Sequence, residues 1–195
     1  MVVFGWVVKK NDTSKNFLEQ LSGEIVFLAE DDAGYHSVCR VAADGGSKKI
    51  LYRYELKEIG VFNPKWSANG LEVSFTSLDR KTGELTKITV DKEGNVLSRE
   101  PGNNDDTTSH YTFEEDITVE KGTIYVLEED GSRREVYSTW AYSDHWGPSY
   151  IRWGPDKKFI IFQANSVLGR DEIAVIDLES LESAVVANGR HPDWK

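Results

Sequence analysis

The chain has 195 residues, 39% of them hydrophobic and 29% charged, a balance that suits a globular protein with a sizeable core. Its formal net charge of −10 repels phosphate backbones and anionic membranes, so nucleic acid and membrane are set aside as partners. The single cysteine, Cys39, excludes an internal disulfide.

Met1 to Val8 is apolar and is followed by Lys9-Lys10. A secretory signal carries its charge before the apolar run, so this order predicts a β-strand and a cytoplasmic protein. Phe17 to Leu21 has room for one helical turn at most. Alternating strands with acidic or glycine turns then recur. They are "EIVFLAEDDAGYHSVCRVAADGG" (Glu24 to Gly46), "EVSFTSLDRKTGELTKITVDKEG" (Glu72 to Gly94), "GTIYVLEEDG" (Gly122 to Gly131) and "IIFQANSVLGRDEIAVIDLES" (Ile160 to Ser180). Turn glycines Gly45, Gly94 and Gly131 are spaced by 49 and 37 residues.

A tryptophan motif marks the period. Pro64-Lys-Trp66 has counterparts in Tyr150-Ile-Arg-Trp153 and His191-Pro-Asp-Trp194. Trp66 and Trp153 are 87 residues apart, and Trp153 and Trp194 are 41 apart. These distances fit two units and one unit of roughly 43 residues, the length of a propeller blade. After Trp66 comes "WSANGLEVSF" and after Trp153 "WGPDKKFIIF", each with a tight turn and an alternating strand ending in Phe. Asn69-Gly70 is a hairpin turn because both residues tolerate positive φ.

Short alternating strands at this period predict an all-β chain, a β-propeller of four-stranded antiparallel blades. One blade cannot cover its own two apolar faces, and stacking blades about an axis buries both.

Residues 63–95 and 150–178 resemble the repeat of TolB-like β-propellers, a WD-like family with a Pro-Asp turn. Pro64, Trp66, Ser67, Gly70, Val73, Phe75, Ser77 and Gly83 fall on that pattern, as do Trp153, Pro155, Asp156, Ile160 and Phe162. Ala68-Asn69 replaces the Pro-Asp of the first copy, and no Trp stands near residue 110. The resemblance implies a propeller used as a binding module or placed beside an enzyme. It does not choose a function.

The expected units are residues 17–60, 61–100, 101–145 and 146–187, in one domain. Residues 1–16 and 188–195 are expected to form a composite closing blade, because closure removes exposed strand edges. An incomplete ring would instead call for a homo-oligomer.

Tight turns are expected on one face, at Asp44-Gly45-Gly46, Ala68-Asn69-Gly70, Lys92-Glu93-Gly94, Asp130-Gly131 and Gly154-Pro155-Asp156. The other face carries the longer loops, including Asp31 to His36, Tyr54 to Phe62, Pro101 to His110, Ala141 to Pro148, Leu168 to Asp171 and Asn188 to His191. All 4 histidines fall there. Long polar loops on a rigid scaffold are where binding groups concentrate.

Two site readings follow. Trp140, Tyr142, Asp144, His145, Trp146 and Tyr150 form a candidate ligand platform, since aromatic rings offer rigid area with polar tips. His36, His110, His145 and His191, with Asp31, Asp105, Asp106, Asp144 or Asp171, form a candidate divalent-cation site, since imidazole and carboxylate suit Mn, Zn or Fe. No two histidines share a short ligand spacing, and no nucleophile elbow, phosphate loop or His-Glu-x-x-His motif is present. The expected function is therefore a non-catalytic binding module for a protein, peptide or carbohydrate. A metal-dependent lyase or hydrolase is the alternative.

Overall fold

The computed structural model describes residues 17–104, 114–139, 147–165 and 171–195. Phe17 to Leu21 makes a single turn, with Gln20 N–H donating to Phe17 O and Leu21 N–H to Leu18 O. Strands β1 (Glu24–Glu30), β2 (His36–Ala42) and β3 (Lys48–Arg53) come next, then β4 (Ile59–Trp66), β5 (Glu72–Asp79), β6 (Leu85–Asp91) and β7 (Val96–Pro101). They are followed by β8 (Ile117–Glu120), β9 (Thr123–Leu127) and β10 (Arg133–Ser138). The last are β11 (Ser149–Trp153), β12 (Phe159–Asn165), β13 (Asp171–Asp177), β14 (Ser183–Asn188) and β15 (Arg190–Trp194).

Four antiparallel sheets result: a first sheet β15-β1-β2-β3, a second β4-β5-β6-β7, a third of β8, β9 and β10, and a fourth β11-β12-β13-β14. This is the all-β, propeller-type arrangement that the repeat predicts. The closing unit differs from expectation. Residues 190–194 pair with β1, so the end of the chain is the innermost strand of the first sheet and not part of a further blade. The physical reason is the edge of β1, which would otherwise be left unpaired. Lys195 and Glu24 exchange both backbone hydrogen bonds, at 3.0 and 2.7 Å. Residues 1–16, the other half of the expected closing unit, lie outside the described residues.

The strand sequences show which sheets sit between two others. In β1, Ile25, Val26, Phe27 and Leu28 are all buried. Ile25 and Phe27 pack with Ile161, Ile173 and Val175 of the fourth sheet, and Val26 and Leu28 with Val73, Phe75 and Ile88 of the second. In β12, Ile161 faces the first sheet, while Ile160 and Phe162 join Ile117, Ile124 and Val126 of the third. The apolar stack therefore runs second, first, fourth, third. Among the described residues no buried cluster joins the second sheet to the third. Each fully buried Phe or Ile in these seams contributes roughly 1.5–3 kcal/mol.

The third sheet has three described strands. Asp116, before β8, is 3.9 Å from Lys157 in the β11–β12 turn, and Gly122, after β8, lies against Gly147 before β11. β8 thus runs opposite to β11, as second strands do, and the innermost place of this sheet is not among the described residues.

Candidate functional site

The face opposite the tight turns is built from the β1–β2 loop, the start of β13 and the link between β14 and β15. Asp31 organises the first of these. Its Oδ1 accepts the Ala33 and Tyr35 N–H groups, each at 3.0 Å, and its Oδ2 accepts Arg53 Nη2 at 2.7 Å. The Tyr35 N–H is the main reason the Asp31 carboxyl is held below the usual carboxylate range. Arg53 and Lys57 lie over the Tyr35 ring at 5.7 and 5.4 Å.

Between the first and fourth sheets this face opens into a cleft of about 630 Å³, walled by Glu30, Asp31, Asp32, Asp171, Asn188 and Arg190. Arg190 connects its two walls. Its Nη2 donates to Glu30 Oε2 at 2.7 Å, and its Nε lies 3.6 Å from Asp171 Oδ2. Gln163, buried behind the cleft, donates to Asp171 Oδ1 at 3.1 Å and accepts the His191 N–H at 3.2 Å. His36 Nδ1 is 3.7 Å from Glu30 Oε2. Burial lowers the His36 value more than Glu30 raises it.

His191 and Tyr150 stack across the seam of the first and fourth sheets, with centroids 3.7 Å apart and planes at 23°. Burial, helped by the Arg190 charge, lowers the His191 imidazole from 6.5 to about 3, so it is neutral at physiological pH.

The tryptophan motif has a backbone counterpart. Three residues before Trp66, Trp153 and Trp194 stand Asn63, Tyr150 and His191, with φ of 49°, 51° and 53°. Each opens a bulge in an innermost strand. Asn63-Pro64 lies opposite Phe75, Tyr150-Ile151 opposite Phe162, and His191-Pro192 opposite Phe27. All three Phe and Ile151 are fully buried, and Pro64 and Pro192 are buried.

Of the residues singled out in the sequence, Tyr150, His36, His191, Asp31 and Asp171 are described. The structure brings Tyr150 to His191, and sets His36 and Asp171 on the two sides of the Glu30–Arg190 pair. Trp140, Tyr142, Asp144, His145, Trp146, His110, Asp105 and Asp106 lie outside the described residues. Among the described residues, no three His, Cys, Asp or Glu come together as a metal-holding group. Sequence reasoning missed Glu30, Gln163, Asn63 and the bridging role of Arg190. The repeat itself carried the signal for Asn63, since it aligns with Tyr150 and His191.

No protein-family model matches the chain, and no curated protein matches it. Solved β-propellers are similar to it. One is TolB from Acinetobacter baumannii, at 11% identity and TM-score 0.40, over 88% of this chain and 66% of that one. An oligogalacturonate lyase in complex with manganese is 14% identical with TM-score 0.30, over 84% of this chain and 52% of that one. The β-propeller domain of the Trilobed protease from Pyrococcus furiosus, with an open velcro topology, is 12% identical with TM-score 0.34, over 85% and 52%. The chain thus spans between half and two thirds of these structures, and the likeness concerns the fold alone.

Proposed function

We propose that this chain is a binding module whose loop-rich face holds a segment of a protein or peptide in the cleft between the first and fourth sheets. The observation that carries this reading is the cleft itself. It has the volume typical of ligand sites, is walled by two rigid sheets, and lies on the face with the longer loops.

The state of three of its four wall carboxylates favours binding over proton transfer; none of the contacts below holds the fourth, Asp32. Glu30 is held by Arg190, Asp171 by Gln163 and Arg190, and Asp31 by two backbone N–H groups and Arg53. A general acid or base needs a carboxyl or imidazole free to reach a substrate proton. Carboxylates fixed this way shape a surface and set its sign.

A random twelve-residue peptide library displayed on phage tests the reading. Peptides should be enriched that bind the wild type and lose binding to Glu30→Arg, which reverses charge on one wall. No enrichment, or equal binding to Glu30→Arg, contradicts the reading.

A further inference from the structure

We propose that β14 is an association surface, at which two copies of this chain pair antiparallel along the outer edge of the fourth sheet. The association does not depend on what the cleft holds.

Among the described residues, each sheet ends outward in a strand with one open edge: β3, β7, β10 and β14. An open edge offers its N–H and C=O groups to any other strand, and proteins blunt it with charge, proline or a bulge. All four strands carry a bulge at the same place, where the extra residue is Leu51, Leu97, Val136 or Val186. The bulge therefore does not distinguish them. Charge does. β3 carries Lys48, Lys49 and Arg53, β7 carries Arg99, Glu100 and Pro101, and β10 carries Arg133, Arg134 and Glu135. β14, Ser183-Ala-Val-Val-Ala-Asn188, has neither a charged residue nor a proline. Its Val185 is 49% exposed. Ile50 and Val96 are exposed on other outer edges, but they stand in strands that carry those charges.

The partner follows from the same feature. A strand laid along β14 sets its side chains beside Ala184, Val185 and Ala187, where a charged one would lose solvent with nothing to pair with. Among the described outermost strands only β14 itself is free of charge, and a two-fold pair needs the same strand on both sides. Each copy carries a net charge of −10, so two copies meet with least repulsion along an uncharged strip. Charge also sets the direction. Glu179 and Glu182 precede β14, and Asn188 ends it. Antiparallel pairing about Val185 brings the Glu182 end of each copy to the Asn188 end of the other and keeps the two acidic ends apart. The edge supplies six residues, so the pair is weak and concentration-dependent.

Sedimentation velocity on the wild type, up to millimolar protein, tests this. The expected result is a reversible monomer–dimer equilibrium. Val185→Lys should weaken dimerisation by more than about tenfold, because two lysines then face each other across the two-fold. Val96→Lys, the same change on β7, should leave it unaltered. An equimolar mixture of Val185→Lys and Val185→Glu should regain the dimer, which a variant that merely misfolds could not do. A wild type that stays monomeric overturns the proposal, as does a dimer that survives Val185→Lys or a mixture that stays monomeric. Open-ended assemblies overturn the two-fold arrangement. A monomer whose β14 amides resist hydrogen exchange assigns the edge to the chain's own residues 1–16 and overturns the proposal as well.

Discussion

Asp193 ties the last strand of the chain to the second sheet: its Oδ2 accepts the backbone N–H of Trp66, 127 residues away, at 2.8 Å. β15 is thus fixed to the first sheet by pairing with β1, to the second by this bond, and to the fourth by Trp194 packing on Phe159.

The first prediction concerns that carboxylate. Burial raises the Asp193 carboxyl above 3.8, against the opposing pull of the Trp66 N–H, Arg152 and Lys65. A raised folded-state value adds stability below 3.8 that is lost as pH rises through the folded value. Asparagine keeps an acceptor oxygen without the buried charge. Asp193→Asn is therefore expected to match or exceed the wild type in urea at pH 7. Asp193→Ala, which leaves the Trp66 N–H without its acceptor, should lose about 1–3 kcal/mol.

His191 gives the opposite pH dependence. Its imidazole falls from 6.5 to about 3 on folding, so the neutral form is the one the fold favours. That contribution is complete above pH 6.5 and is lost as pH falls toward 3. Urea midpoints measured from pH 7.5 to 4 should decline. The decline should be shallower in His191→Phe, which keeps a ring for Tyr150 to stack on. His36, lowered by burial in the same direction, accounts for part of what remains.

Glycine is required at Gly189 for space. A Cβ there would sit 2.3 Å from Phe27 Cδ2 and 2.5 Å from Leu28 O, and the second of these is backbone that cannot step aside. At Gly131 a Cβ meets nothing within 4 Å, and only the φ of 81° penalises a side chain. Thermal melts of Gly189→Ala should show a loss of about 3 kcal/mol or more. Gly131→Ala should lose about 1–2 kcal/mol.

The repeated tryptophans are not equivalent in their N–H groups. Trp66 Nε1 donates to Glu24 O at 3.1 Å, whereas the buried Trp153 Nε1 has no hydrogen-bond partner among the described residues. Lys92 and Lys157 lie over the two rings at 5.7 and 5.6 Å, so the cation contribution cancels in a comparison. Trp66→Phe should cost about 1–2 kcal/mol more than Trp153→Phe in urea denaturation. Equal losses would show that the Trp66 bond adds nothing net.

Much of this architecture was legible in the residues. The Trp66, Trp153 and Trp194 spacing located three innermost strands. The continuous apolar runs "EIVFLA" and "FIIF" mark the two sheets that pack on a neighbour at each face. The partner of β15 was not legible, because strand pairing over 160 residues depends on which edge is left open and not on the local pattern. The cleft was legible as a face but not as a contact map. Arg190 and Glu30 are ordinary surface residues in sequence, and only the fold brings them to 2.7 Å. Gln163 sits in an apolar strand, and its role depends on His191 and Asp171 arriving from two other strands.

The central claim is that a peptide is held between the first and fourth sheets. The most direct measurement is a backbone amide chemical-shift map of the wild-type chain with a library-enriched peptide. The account predicts saturable shifts at residues 30–36, 171–173 and 188–191, on the two walls of the cleft. Shifts confined to residues 68–70, 92–94 and 154–156, on the tight-turn face, would contradict it.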